Sequence, residues 1–484
     1  MPASPFFFRT VLSLALPLAL AACAVGPDYQ RPDPAARLPA AYHGEAASPR
    51  SAPLNWWTVF DDPALDAAVD RALQASQDVA AAEARVRQAR ASLGVVDSAL
   101  WPQLNAGGRV GRDQLSRNSE NFANMPLPHP QTSFTDYRVG LDASWELDLF
   151  GHARRQSEAA GARLGGAQAQ QADAQLRVAA ETARNVIDFR GWSARLVNAE
   201  TMATDSRENL RLIQLQQAAG LVSDNEVSQA RAAADNAAAQ LPPLRAARGA
   251  ALNALSVLLD EPLDKVSARF AASRPMPAVL AEAPVGLPAD LLRRRPDIRL
   301  AERNLAAASA DVGVAVAEQY PRLTLVGSGG WDSIHPGSLT EAASRFWNVG
   351  PQLSLPLFNA GRLHNQVKAN EAARDLALAN YRQSVLTALA DVETTLLRYG
   401  EENRREAALA ASLHESERQT ALAEQRVRVG ESAQTDTLAA RQIQAQAREQ
   451  WLASRQAQAA NLVALFKALG GGAQVEGKEA SAAR

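Results

Sequence analysis

DVAAAEARVRQARASLGVVDSALWPQL (Asp78–Leu104) and DIRLAERNLAAASADVGVAVAEQYPRL (Asp297–Leu323) are the two stretches whose likeness decides the fold. Each is a helical run with closely spaced alanines, and each ends in an aromatic residue followed by proline: Trp101-Pro102 and Tyr320-Pro321. Two more pairs follow in the same order. YRVGLDASWELDLFGHARRQ from Tyr137 matches WNVGPQLSLPLFNAGRLHNQ from Trp347, and LQQAAGLVSDNEVSQARAAA from Leu215 matches EQRVRVGESAQTDTLAARQI from Glu424. Alanine-rich helices resemble one another by chance, but shared breaker positions in three ordered pairs mark an internal duplication. Each copy reads as helix, β-hairpin, very long helix, turn, long helix.

The very long helices run from Gly151 to about Gln217 and from Gly361 to about Val429, with no proline in either. At ~1.5 Å per residue each is a rod of roughly 100 Å. In QSVLTALADVETTLL, Val385, Leu389, Val392 and Leu396 recur at helical spacing and form one apolar stripe. Gly220 and Gly430 mark tight turns between antiparallel, coiled-coil-like neighbours. Pro242-Pro243 interrupts the returning helix of the first copy, so a break or rearrangement is expected there.

The inserts follow a different period. Val139, Leu141, Ala143, Trp145, Leu147 and Leu149 alternate with Gly140, Asp142, Ser144, Glu146 and Asp148, and the second copy repeats this through Leu353, Leu355 and Leu357. One-sided alternation suits a sheet that faces a core, an ordinary surface hairpin, or a sheet that faces lipid. If these strands span a bilayer, their edges cannot stay unpaired. The smallest outer-membrane barrels have about eight strands. Two hairpins per chain therefore require oligomerisation, with a trimer closing the barrel.

A short apolar run, Val11–Ala22, follows Arg9 and reads as a secretory leader, too short to span a bilayer as a helix. Cys23, the single cysteine of the 484 residues, cannot form an intramolecular disulfide. LAAC (Leu20–Cys23) resembles a lipobox, in which Cys23 takes lipid and becomes the mature N-terminus. Composition narrows the function. A net charge of -2 gives no electrostatic argument for nucleic acid. The six histidines are scattered without metal-ligand spacing, and neither a Walker A motif nor Gly-x-Ser-x-Gly occurs. No catalytic reading survives, and neither a cofactor nor a metal is expected.

With CAVGPDYQRP at Cys23, NWWTVFDDPALDAAV at Asn55, LLRRRPDIRLAE at Leu291 and LPLFNAGR at Leu355, the chain resembles the outer-membrane factor family. These are the channel subunits of tripartite efflux and secretion systems; the likeness is to the lipoprotein branch attached to resistance-nodulation-division pumps. It implies a mainly α fold with a β-barrel portion: a homotrimer whose long α-helical barrel joins a twelve-stranded outer-membrane β-barrel, four strands per chain. It further implies lipid anchoring in the outer membrane, a large periplasmic portion, a periplasmic adaptor, an inner-membrane pump, and passive conduction of solute. The expected organisation is a signal peptide (1–22), a lipidated extended segment (23–54), a first repeat (55–280, hairpin about 103–149), a second repeat (281–470, hairpin about 322–358) and a flexible tail (471–484). Residues from Pro27 to about Pro53 are expected to wrap the outside as extended chain.

The resemblance also places a carboxylate gate just after the second turn, at Asp436, at the rod end opposite the hairpins. A second aspartate often follows three residues on; here that position is Ala439. Asp224 and Glu226 are the first-copy counterparts and are candidates for the missing charge. The plainer alternative is that Asp436 merely favours a helix N-terminus. Adaptor docking falls to the turns themselves: Gly220, Leu221, Val222, Gly430, Glu431 and Ser432. Arg293, Arg294 and Arg295 read as a solvated basic run ahead of a helix start at Pro296. A lipid-anchored, non-transporting periplasmic scaffold is the competing function; it accounts for the rods and Cys23 but not for the hairpins.

Overall fold

The computed structural model describes residues 24–33, 38–43, 47–48, 53, 55–116, 132–272, 275–277, 279–280 and 282–471. The leader, Cys23 and residues 472–484 lie outside them. β1 (Ala47–Ser48) precedes the first repeat, which holds α1 (Pro63–Ala75), α2 (Gln77–Asp97), β2 (Gln103–Gln114) and β3 (Ser133–Leu147). It continues through α3 (His152–Ala218), α4 (Asp224–Ala239), α5 (Leu241–Leu259) and α6 (Leu263–Arg269). The second holds β4 (Ala283–Pro284), α7 (Leu291–Arg294), α8 (Pro296–Ala317), β5 (Arg322–Ser333), β6 (Arg345–Ser354), α9 (Arg362–Arg428) and α10 (Gln434–Ala468).

The chain divides into two compact units, and each draws on both repeats: one takes 87–166 and 302–380, the other 167–301 and 381–484, each with part of the N-terminal region. The long helices α3 and α9 are 67 residues each, matching the rods read from the sequence. α4 and α5 are split at Gln240, which keeps helical φ/ψ of -74° and -18°. Pro242 and Pro243 lack the N–H groups that would continue the ladder, so the hydrogen bonding breaks while the backbone path does not.

The first unit holds the four-stranded sheet, ordered β2-β3-β5-β6 and antiparallel throughout. Each repeat supplies one hairpin, and β3 pairs with β5 to join them. The strands stop short of the alternation. β3 ends at Leu147 and β6 at Ser354, so Leu149, Leu355 and Leu357 lie outside the sheet. Pro356 explains the second stop, since it donates no N–H and constrains Leu355 before it. The extended Ala24–Pro32 segment is pinned to this unit. Val25 N–H donates to Phe150 O at 3.1 Å. The buried Arg155 guanidinium donates to Asp28 at 2.6 Å, to Glu158 at 2.7 Å and to Val25 O at 3.3 Å. Tyr29 Oη donates to Glu302 at 2.5 Å, and burial together with that bond pushes its hydroxyl above the usual range, so it remains a donor.

The second unit buries Trp56, Phe60, Leu65 and Phe466, with the Trp56 and Phe466 rings stacked 5.3 Å apart. Asp62 caps α1 by accepting Ala64 N–H at 3.0 Å, and it also accepts from the buried Arg190 at 2.9 Å. On α9 the buried stripe is Tyr381, Val385, Ala388, Val392, Leu396 and Tyr399. Leu389, placed on it from the sequence, is half-buried, and Ala388 takes its position. α3 packs Leu196, Ala199 and Ala203 against Ala237, Leu241 and Leu244 of α4 and α5. Small side chains there permit close helix approach at little cost in side-chain entropy. Arg295 corrects the reading of a solvated basic run. Its side chain is 11% exposed and donates to Asp297 at 2.7 Å, to Asp391 at 3.2 Å and to Ala468 O at 2.9 Å.

Candidate functional site

Two surfaces are candidates for function, one in each unit. The first is the sheet. Directly paired residues share a face, so the register sorts the strands cleanly. One face carries Leu104, Ala106 and Val110 of β2, Val139, Leu141, Ala143 and Trp145 of β3, Leu323, Leu325 and Trp331 of β5, and Trp347, Val349 and Leu353 of β6. The other carries Asn105, Asp142, Ser328 and Asn348 on one rung and Arg109, Arg138 and Asp332 on another. The apolar face is open: Val110 is 71% exposed and Trp347 79%. A sheet with one open apolar face and one polar face suits lipid outside and water inside. No helix among the described residues is long and apolar enough to cross a membrane.

The glycines at the centre of the sheet are held there by close strand approach. A Cβ on Gly330 would stand 2.2 Å from Val139 O, and one on Gly140 would stand 2.9 Å from Gly329 O. No side chain other than hydrogen fits without moving a strand.

The second surface is formed by the turns after α3 and α9. They repeat the same geometry. Gly220 and Gly430 have φ of 76° and 77°, the left-handed region that glycine enters without Cβ strain. Gly220 N–H donates to Gln217 O at 2.8 Å and Leu221 N–H to Gln216 O at 2.9 Å. Gly430 N–H donates to Val427 O at 3.1 Å and Glu431 N–H to Arg426 O at 2.9 Å. Both are Schellman closures. They leave Leu221 and Val429 exposed at the tips. Val222 and Ser432 are half-buried beside them, and Glu431 is exposed.

The expected gate residues lie just beyond. Glu226 accepts Ser223 N–H at 2.7 Å and the Ser223 hydroxyl at 3.0 Å, which hold its carboxyl below the usual range. Asp436 accepts Ala433 N–H at 3.2 Å, in the same position of the equivalent helix. Asp224 is instead the first residue of α4 and accepts from the Gln217 amide. Of the two first-copy candidates, Glu226 is therefore the counterpart of Asp436. Asp436 is exposed, as is Ala439, which offers no second charge.

The sequence reading missed a tie behind the second turn. Arg441 of α10 donates to Glu424 of α9 at 2.7 Å and sits in the field of Asp205 of α3, whose carboxyl is raised by burial. Gln442 donates to the buried Ser206 at 3.0 Å. Placement of Glu424 and Arg441 on either side of Gly430 is a legible signal; Asp205 has none. Among the described residues no group of three or more His, Cys, Asp or Glu is arranged to hold a metal.

Comparison with known proteins identifies the arrangement. The family model described as outer membrane efflux protein matches residues 68–261 and 287–471. The toluene efflux pump outer membrane protein TtgF of Pseudomonas putida is 32% identical over 472 residues, covering 95% of this chain and 96% of that one. The pyoverdine export outer membrane protein OpmQ of Pseudomonas aeruginosa is also 32% identical, over 428 residues and 87% of each chain. Among solved structures, the outer-membrane channel OprN superposes with a TM-score of 0.82 at 32% identity, over 93% of this chain and 99% of that one. The open state of the Neisseria gonorrhoeae MtrE channel gives 0.79 at 26% identity, over 93% and 98%. The chain belongs to the outer membrane efflux protein family, as an outer-membrane channel component of efflux systems.

Proposed function

We propose that three copies of the chain close their sheets edge to edge into one outer-membrane barrel, and that their long helices continue the conduit in the periplasm. The observation that carries this is the sheet itself: four strands, one bare apolar face, and two outer strands, β2 and β6, with no partner on their far sides among the described residues. In lipid those backbone groups need partners, and four strands are half of the smallest barrel, about eight. The trimer is supported by likeness to the channel structures and by two apolar lines left open on the long helices. On α9, Leu386, Leu397 and Leu422 are exposed and fall within roughly 20° of one another at ~100° per residue. On α3, exposed Val197 and Leu215 lie on one line. Neighbouring copies would cover them.

In this reading the protein is a passive conduit for solute delivered by an inner-membrane resistance-nodulation-division transporter through a periplasmic adaptor. Relatives named for toluene efflux and for pyoverdine export are equally similar to it, which supports a channel that does not choose its cargo. The adaptor docks on the turn residues Gly220, Leu221, Val222, Gly430, Glu431 and Ser432. Asp436 constricts the mouth as a ring of three carboxylates favouring cations, and Glu226 adds charge from the first repeat. Lipid on Cys23 anchors the chain. The pinning of Val25 to Phe150 O supports this, because it holds the residues next to Cys23 at the end of β3. The test is a heat-resistant trimer on electrophoresis together with single-channel conductance in a planar bilayer. A chain that inserts and conducts only as a trimer bears the reading out; a monomer that binds membranes through lipid alone overturns it.

A further inference from the structure

The polar face of the sheet is not uniformly polar. Phe346 of β6 lies on it, opposite Gly330, and its ring reaches toward Gly140, where an added Cβ would sit 3.4 Å from the ring edge. Arg138 of β3 stacks its guanidinium over that ring, 4.2 Å from the centroid. Beside them a recess of about 180 Å³ opens, lined by Gly107, Gly108, Arg109, Arg138, Gly140, Asp142 and Phe346.

The two arginines differ in what they have left to offer. Arg109 is committed along its own strand, donating to Asp113 at 3.1 Å. Among the described residues no carboxylate forms an ion pair with Arg138, although Asp136 and Asp332 stand on the same face. A guanidinium stacked on an aromatic ring keeps its edge N–H donors free, and those donors match a carboxylate in a bidentate fork. Asp142, on the far side of the recess, disfavours a second negative group on the same ligand. The volume is comparable to the roughly 150 Å³ cavity that accepts benzene. One glycine of the floor is not demanded by packing: a Cβ on Gly107 would meet nothing within 4 Å. Its hydrogen leaves open a space that a side chain would fill.

We propose that this recess binds a flat organic monocarboxylate, with the acid on Arg138 and the apolar body between Phe346 and the glycine floor. The inference rests on the barrel reading, which makes this face the wall of the lumen.

Benzoate is the probe, with benzamide as its neutral analogue, both titrated against the detergent-solubilised trimer by saturation-transfer NMR. Benzoate is expected to bind at least ten-fold more tightly than benzamide. Arg138→Gln should weaken benzoate about ten-fold and leave benzamide unchanged, whereas Gly107→Val should weaken both. Equal binding of the two probes, or benzoate binding unchanged in both variants, overturns the recess. Trimer content and conductance are recorded on the same samples. Trimers that conduct but fail the benzoate comparison remove this inference alone, while absence of trimer removes the barrel reading and the recess with it.

Discussion

Glu226 and Asp436 occupy the same place in the two halves of the chain: each is the third residue of the helix after a left-handed glycine turn, and each accepts the N–H of the residue before that helix. Both are therefore helix caps already, whatever else they do. A gate test must separate charge from capping.

Asp436→Asn keeps a side-chain oxygen for Ala433 N–H and removes the charge. If the carboxylate ring constricts the mouth, single-channel conductance rises and cation preference falls in Asp436→Asn as in Asp436→Ala. A change in Asp436→Ala alone would assign the residue to capping.

The lowered pKa of Glu226 has a definite sign. Its folded value is depressed by the Ser223 bonds, so its contribution is present above the ordinary glutamate range and is lost as pH falls through the lowered value. Titration of Glu226 followed by carboxyl NMR should give a midpoint below the usual range. In Ser223→Ala, which loses the hydroxyl donor, the midpoint should move back up.

Gly330→Ala should block strand pairing, because the new methyl meets Val139 O at 2.2 Å, whereas Gly327→Ala has its nearest neighbour at 3.7 Å and should be tolerated. Trimer yield after membrane extraction reports the difference, and far-ultraviolet dichroism shows whether the helices persist in both.

Arg190→Ala removes the guanidinium that donates to buried Asp62 and should cost about 3 kcal/mol, the low end for breaking a buried pair. Removing both charges with Arg190→Met and Asp62→Asn should recover much of the loss. Thermal unfolding of the helical signal measures both.

Leu221→Asp places a charge on an exposed tip residue. Trimer formation and conductance should be unchanged, while efflux in cells falls. Loss of the trimer instead would remove Leu221 from the docking surface.

Much of this was legible along the chain. The 67-residue helices, the glycine turns and the strand alternation follow from preferences that act over a few neighbouring residues: φ/ψ freedom at Gly220 and Gly430, missing N–H groups at Pro242 and Pro243, and periods of 2 and 3.6. The duplication was readable because both copies carry the same local code. The tertiary structure decided which distant groups meet. Pairing of β3 with β5 merges the repeats into one sheet, Arg190 finds Asp62, Arg295 reaches Asp391 and Ala468, and Arg138 settles over Phe346. With 50 Lys and Arg among 52 Asp and Glu, no local signal selects one partner from the rest. An ion pair depends on distance in space, and distance in space between residues far apart along the chain is set only when the whole chain has packed.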